Sequence, residues 1–328
     1  MSVNAISKQI DIPGVTIDAA AFFGLEGVTR VRQQARLGLT EQSYLPKASD
    51  PHSDWVARVA APAFRALAEM GVKVEDFCTI GTGAGLDALA AIEILRVRNV
   101  FVTDLHEDVV QQARQNILMN VLPPQPAVFA GVGDLLDPLK ETRSALDLIY
   151  ENLPNIPLGS DDDLAEGQAS STFIADRKEG LPDFVRQHLI ALHYLALRQA
   201  YPMLRPGGRV LSSIGGRIPV EVILRLGRET GYASHILVLA WKIQSEPEDV
   251  IGGYARWERE GLGPFRFYPR AVLERTLSPM SAVAAAAQAI EIERALQPDA
   301  LSAEQALQAH LDGVEIGHTV FVLESQKL

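Results

Sequence analysis

Short apolar runs alternate along the chain with longer stretches in which apolar positions recur every three or four residues. This alternation predicts an α/β fold, a mostly parallel sheet covered by helices on both faces. Strands are expected at 77–80, 100–103, 127–130, 146–150, 209–214, 233–243 and 318–323. Helices are expected at 54–70, 86–95, 108–121, 182–203 and 219–230. Pro123-Pro124, the turn Arg205-Pro206-Gly207-Gly208 and Gly231 supply the stops, because proline cannot continue a helical ladder and glycine leaves it easily. Residues 1–55 precede the pattern as an N-terminal extension or cap, helical or irregular. Residues 56–328 carry it as one domain, with an insertion at about 246–312 before the last strand. That insertion reads first as a glycine- and aromatic-rich loop over 251–269, then as alanine-rich helices between 271 and 310.

Charge and composition narrow the partners. The 30 basic and 41 acidic residues leave a net charge of −11, with the acids scattered and no basic stripe, so nucleic acid is not expected as a partner. No apolar run approaches the ~20 residues of a membrane span, and no basic, then apolar, leader opens the chain, so a cytoplasmic location without membrane partners is expected. Cys78 is the single cysteine, in an apolar run, and reads as a small buried hydrophobe; no disulfide framework is possible. No group of His, Cys and acids has metal-ligand spacing, and His188 and His193 do not share a helix face, so no metal is expected.

Gly81-Thr82-Gly83-Ala84-Gly85 joins the first strand to its helix. Glycine there lets a ligand approach the backbone, and the helix start offers unpaired N–H groups. The dinucleotide fingerprint G-x-G-x-x-G needs glycine where this chain has Leu86. The tighter G-x-G-x-G is the form associated with S-adenosylmethionine (SAM). Asp104 closes the second strand, 21 residues beyond Gly83, where a carboxylate can accept from both ribose hydroxyls. Thr103 or Asp108 can cap the next helix in its place. Gly133-Asp134-Leu135-Leu136 follows the third strand and resembles the methyltransferase segment whose acid holds the adenine amino group and whose apolar neighbour sandwiches the ring. Cofactor contacts are therefore expected from Gly81, Thr82, Gly83, Gly85, Asp104, Leu105, Asp134, Leu135 and, at the next strand tip, Asn152.

The fourth strand runs into Glu151-Asn152-Leu153-Pro154-Asn155-Ile156-Pro157, at the edge where open α/β sheets bind ligands. The segment resembles the Asn-Pro-Pro-Tyr motif of amino-methylating enzymes, with Leu153 at the first proline and Asn155 at the aromatic. It also belongs to an ordered series: His52-Ser53-Asp54-Trp55, Leu153-Pro154-Asn155-Ile156, Arg205-Pro206-Gly207-Gly208, Ile214-Gly215-Gly216-Arg217 and Trp241-Lys242-Ile243-Gln244. Over about residues 50–270 this series resembles the methyltransferase domain of the methionine S-methyltransferase family, in the compact bacterial form used in making dimethylsulfoniopropionate.

The resemblance implies a Rossmann-like, seven-stranded class I methyltransferase sheet and SAM as cofactor, leaving as S-adenosylhomocysteine (SAH). It implies the thioether of L-methionine as acceptor, methylated to S-methyl-L-methionine by in-line displacement. A thioether has a free lone pair and no proton to lose, so no general base is needed; no His–Asp or Cys–His constellation is visible in the sequence. Asn152, Pro154 and Asn155 are the candidates at the reacting centre. Tyr150, Asn155, Arg217 and Trp241 are the candidate acceptor contacts, the rings for a sulfonium and Arg217 for a carboxylate, with Tyr254 and Trp257 as further rings. The polar stretch 159–180 reads as a lid. Three readings stay beside this one: an amide or amine N-methyltransferase of a protein or small molecule, a SAM-binding protein without catalysis, and a dehydrogenase. The partner expected is a small molecule, with a homodimer left open.

Overall fold

The computed structural model describes residues 14–141, 145–158, 173–175, 177 and 179–328. It opens with β1 (Val15–Asp18), α1 (Ala19–Phe23) and β2 (Gln34–Leu37), the two strands pairing antiparallel. The described part of the extension thus holds a small sheet where a helical or irregular lead-in was expected; four-residue strands are too short to display a period. A π turn at Val56–Ala60 leads into α2 (Ala61–Glu69). Then come β3 (Asp76–Ile80), α3 (Leu86–Leu95), β4 (Asn99–Asp104), α4 (Glu107–Asn120), β5 (Ala127–Val132) and β6 (Leu146–Glu151). A two-residue parallel pair, β7 (Ile156–Pro157) and β8 (Phe173–Ile174), precedes α5 (Asp183–Gln187), α6 (Ala191–Met203), β9 (Leu204–Gly215), α7 (Val220–Glu229) and β10 (Ala233–Ile243). The insertion contains α8 (Pro247–Arg259), β11 (Tyr268–Pro269), α9 (Arg270–Leu277), α10 (Ala282–Ala286), α11 (Ala289–Leu296) and α12 (Ala303–Leu311), and β12 (Ile316–Gln326) closes the chain's sheet.

The main sheet runs β10-β12-β9-β6-β3-β4-β5, with β11 pairing onto the start of β12. Strand β12 is antiparallel to both neighbours, whereas β9, β6, β3, β4 and β5 are mutually parallel. This is the expected α/β class, a parallel-dominated sheet with helices on both faces. Adjacent residues on one strand enter different cores, as the period of two requires. Cys78, Ile149 and Val210 pack in a core with Leu197 of α6 and Ile223 of α7. Phe77, Leu148 and Leu211 pack in another with Phe64 of α2 and Leu89 of α3. Burial on both faces is why these strands read as continuous apolar runs. Among the described residues, no helix is long and apolar enough to cross a membrane.

Two expected elements differ. The single helix expected at 182–203 is two, because Leu189 adopts a left-handed φ of 56°. Its N–H bonds Arg186 O at 3.2 Å and the N–H of Ile190 bonds Val185 O at 3.1 Å, a C-terminal cap in which leucine stands where glycine is usual. The loop expected from 251 begins instead as helix α8, despite Gly252-Gly253. A Cβ on Gly253 would lie 3.1 Å from Ile156 and 3.2 Å from Phe173, so this glycine lets β7 and β8 press onto the helix.

Glu93, buried on α3, ties the N-terminal segment to this frame. Its carboxylate accepts from the backbone N–H groups of Thr29 (3.0 Å), Arg30 (2.6 Å) and Val31 (3.0 Å). Replacing Glu93 by Ala strands these donors and is expected to lower stability by about 2 kcal/mol or more. The check is the midpoint of urea unfolding; an unchanged midpoint would show that the hairpin docks without this carboxylate.

Candidate functional site

Parallel register sets the ends of three strands side by side: Ile80 of β3 pairs with Thr103 of β4 and with Glu151 of β6. Over these ends opens a cavity of about 940 Å³, within the range of sites for small ligands and cofactors. It runs from the glycine loop and Asp104, past Asn152, Pro154 and Asn155, to Arg217, Lys242 and His318.

At the first end, Gly81, Gly83 and Gly85 have φ of 66°, 50° and 78°, a left-handed path that favours glycine. Each has its own surroundings. Beyond Gly83 the nearest atom to an added Cβ is Tyr44 N at 3.9 Å, so the loop leaves room above it. Gly85 does not line the cavity: a Cβ there would meet Ala113 O of α4 at 3.1 Å, so this expected cofactor contact is a packing position between α3 and α4. Thr82 lines the cavity with its hydroxyl buried and unpartnered. Asp104 accepts two long bonds at 3.3 Å, from Gly83 N–H and His106 N–H, and burial pushes its carboxyl up. Beneath the loop, burial pushes the carboxyl of Asp87 up to about 6, and it accepts from the Thr79 hydroxyl. The cradle, the unpartnered hydroxyl and the half-satisfied carboxylate fit a nucleoside bearing ribose hydroxyls.

Leu105 is exposed at the rim, and Leu135 forms a buried wall with φ of 50°, a strained conformation at the cavity. Asp134 also lines the cavity, but it is not free for adenine alone. Arg177 donates to both its oxygens, at 3.0 and 2.7 Å, and this pairing, with Glu179 adding to it, holds the guanidinium pKa above its usual value. The expected lid, 159–180, lies mostly outside the described residues; its described part supplies β8 and this ion pair.

The tip of β6 holds a constellation that sequence reading missed. His193 on α6 places Nδ1 2.8 Å from both carboxylate oxygens of Glu151, and both residues are fully buried. Nδ1 faces the carboxylate, and Nε2 lies 3.3 Å from Asn155 Nδ2. Asn155 lines the cavity, whereas Glu151 and His193 do not. Asn155 thus links the buried pair to the cavity wall. Separated by 42 residues, the acid and the imidazole share no motif; the only signal was a charged residue ending an apolar strand.

At the far end, Tyr150 is buried and bonded through its hydroxyl to Ser213 Oγ at 3.0 Å, and burial pushes its pKa up. Arg217 is not the exposed turn arginine that a Gly-Gly-Arg tip suggests but is 6% exposed, its guanidinium 5.0 Å from the Tyr254 ring centre. It folds back so closely that a Cβ on Gly215 would collide with it. Trp241 departs from expectation: it does not line the cavity, and its ring lies beside Arg58. Strand β10 alternates its faces, so the cavity receives Lys242, the neighbour. Trp257 is likewise outside, donating to Pro157 O at 2.9 Å, while Tyr254 lines the site. Among the described residues, no group of three or more His, Cys, Asp or Glu is placed to hold a metal ion.

No protein-family profile and no curated protein matches the chain. Among solved structures it is similar to a methyltransferase from Pyrococcus furiosus, at 19% identity over 62% of this chain and 82% of that one, with a TM-score of 0.36. It is also similar to a precorrin-6y C5,15-methyltransferase from Geobacter metallireducens, at 8% identity over 89% and 95%, with a TM-score of 0.38. A phosphoethanolamine-type N-methyltransferase of Haemonchus contortus, in complex with phosphomonomethylethanolamine and SAH, is similar at 14% identity over 81% and 52%, with a TM-score of 0.37. The strand order, rather than any of these likenesses, defines the fold.

The Glu151–His193 pair has a measurable weight. Replacing His193 by Ala leaves a buried carboxylate without its donor and is expected to cost about 3 kcal/mol or more. Thermal unfolding checks this; a midpoint within a degree or so of the parent's would mean that water or Asn155 takes over the contact.

Proposed function

We propose that the chain is a SAM-dependent methyltransferase acting on a small molecule, with the thioether of L-methionine as acceptor and S-methyl-L-methionine as product, the step that opens a route to dimethylsulfoniopropionate. The observation that carries the reading is one continuous cavity, with a ribose-type carboxylate at one end and a buried guanidinium at the other. When bound, SAM supplies an electrophilic methyl group on a sulfonium. The chain's own contribution is placement. Asp104 and the loop at Gly81, Thr82 and Gly83 hold the nucleoside, with Leu105, Leu135 and Asn152 beside it. Asn155, Pro154 and Tyr150 shape the centre of the cavity, and the Asn155 carbonyl oxygen offers partial negative charge to a positive group there. Arg217 takes the acceptor's carboxylate. Neither Glu151 nor His193 reaches the cavity, in keeping with an acceptor that loses no proton.

A second reading, methylation of an amide or amine nitrogen, is favoured by Asn152 and Asn155 together at the strand tip, where a carbonyl oxygen can accept from a nitrogen-bound hydrogen. Labelled SAM and free L-methionine distinguish the two. Label in S-methyl-L-methionine with no other acceptor present is the expected result, and transfer only to amines or amides would replace the first reading by the second. Replacing Asp104 by Ala is expected to weaken SAM binding by more than about 1 kcal/mol, read by calorimetry. Unchanged affinity would remove Asp104 from the cofactor site.

A further inference from the structure

The far end of the cavity gathers two buried cations, Arg217 and Lys242, with Asp54 and Glu246 the acids that act on Lys242. Arg217 donates from Nη2 to Gln244 Oε1 at 2.6 Å and to His318 Nε2 at 2.8 Å, both uncharged acceptors. Its Nε is buried with no partner. Lys242 is 1% exposed and lines the cavity, its Nζ 4.6 Å from the centre of the Trp55 ring. Among the described residues its ammonium has no ion pair and no hydrogen bond. Asp54, the buried acid on this side, already accepts from the backbone N–H groups of Lys47 (3.0 Å), Val56 (2.7 Å) and Ala57 (3.2 Å). His318 donates from Nδ1 to Thr319 O at 2.7 Å, and burial together with Arg217 and Lys242 holds its pKa well below the usual range, so it stays neutral.

A buried charge without a partner costs several kcal/mol, and a ligand of opposite sign removes that cost. We propose that this end is an anion subsite in which one carboxylate of the methyl acceptor bridges Arg217 and Lys242. The inference rests on the methyltransferase reading of the other end and deepens it: the acceptor is a small carboxylic acid. Lys242 lies away from the nucleoside end of the cavity. Strand β10 stands four strands from β3, roughly 19 Å at about 4.8 Å per strand, while Gly83 and Asp104 lie at the tips of β3 and β4. Trp55 and Tyr254 flank the two cations as rings, so the carboxylate would be held in a dry, shaped corner where charge-assisted bonds are strong.

The corner also titrates. Burial pushes the Lys242 ammonium down to about 7; Asp54 opposes this, Arg217 and Lys47 add to it, and Glu246 opposes it weakly. An anion needs the protonated amine, so affinity is expected to fall as pH rises through that value toward about 9.

The test is calorimetric titration of the full chain with butyrate and with butanol, and with L-methionine and L-methioninol, each pair differing in the carboxylate. The carboxylates are expected to bind at least about tenfold tighter than the alcohols, the worth of one charge-assisted hydrogen bond. Lys242→Met is expected to reduce that preference to about threefold or less and to abolish its pH dependence, while leaving SAH affinity within about twofold. Because this substitution also removes the positive charge that acts on the buried Asp54 carboxyl, thermal unfolding of the variant is measured alongside, and Arg217→Met supplies the second reading. Equal binding of acid and alcohol, an unaltered preference in Lys242→Met, or a collapse of SAH affinity in that variant would each overturn the subsite. Preference for butyrate without binding of L-methionine would uphold the subsite and remove methionine from the proposed function, so the two failures are distinguishable.

Discussion

The parallel pairing of β6, β3 and β4 is the interaction on which the rest of the molecule depends. Ile80 aligned with both Thr103 and Glu151 brings three strand ends to one level, and the loops that leave them become the walls of a single cavity. A one-residue slip would turn Asp104 and Glu151 to the other side of the sheet and exchange the two cores. The apolar pairs Phe77 and Cys78, Leu148 and Ile149, and Val210 and Leu211 prevent that slip, since each sends one side chain into each core. Site geometry and hydrophobic packing are therefore one constraint.

The cavity is electrically polarised along its length. Carboxylates of Asp87 and Asp104 sit under the glycine loop, whereas Arg217 and Lys242 occupy the opposite end. Burial acts on both, raising the acids and lowering the amine, because an interior disfavours charge of either sign. An anionic group at that end would meet Arg217 and Lys242, on the second of which Asp54 and Glu246 also act. Uncharged groups in the middle, chiefly Asn152, Asn155 and Tyr150, suit a centre through which positive charge moves.

Much of this was legible in the sequence because it is local. The glycine loop, Asp104 at its fixed distance and the segment after β6 are each read within a few residues of a strand end, and they line the cavity except for Gly85, which packs on α4, and Pro157. What escaped is what folding brings together from afar. Glu151 meets His193 only because α6 crosses β6, and Asp134 meets Arg177 only because chain from beyond β8 returns over β5. Lys242 was passed over for Trp241, since alternation tells which neighbours share a face but not which face is the cavity. Gly252-Gly253 suggested a loop because the packing partners of Gly253, Ile156 and Phe173, lie far away in the sequence. Leu189 breaks its helix with no sequence signal at all, in a buried left-handed turn.

A crystal structure of the protein with SAH diffused in tests the central claim most directly. The account predicts both ribose hydroxyls on the Asp104 carboxylate, the nucleoside over Gly83, and the sulfur directed toward Asn152 and the far corner. Density for the nucleoside anywhere else, or a cavity closed by the chain's own side chains with SAH absent, would contradict it.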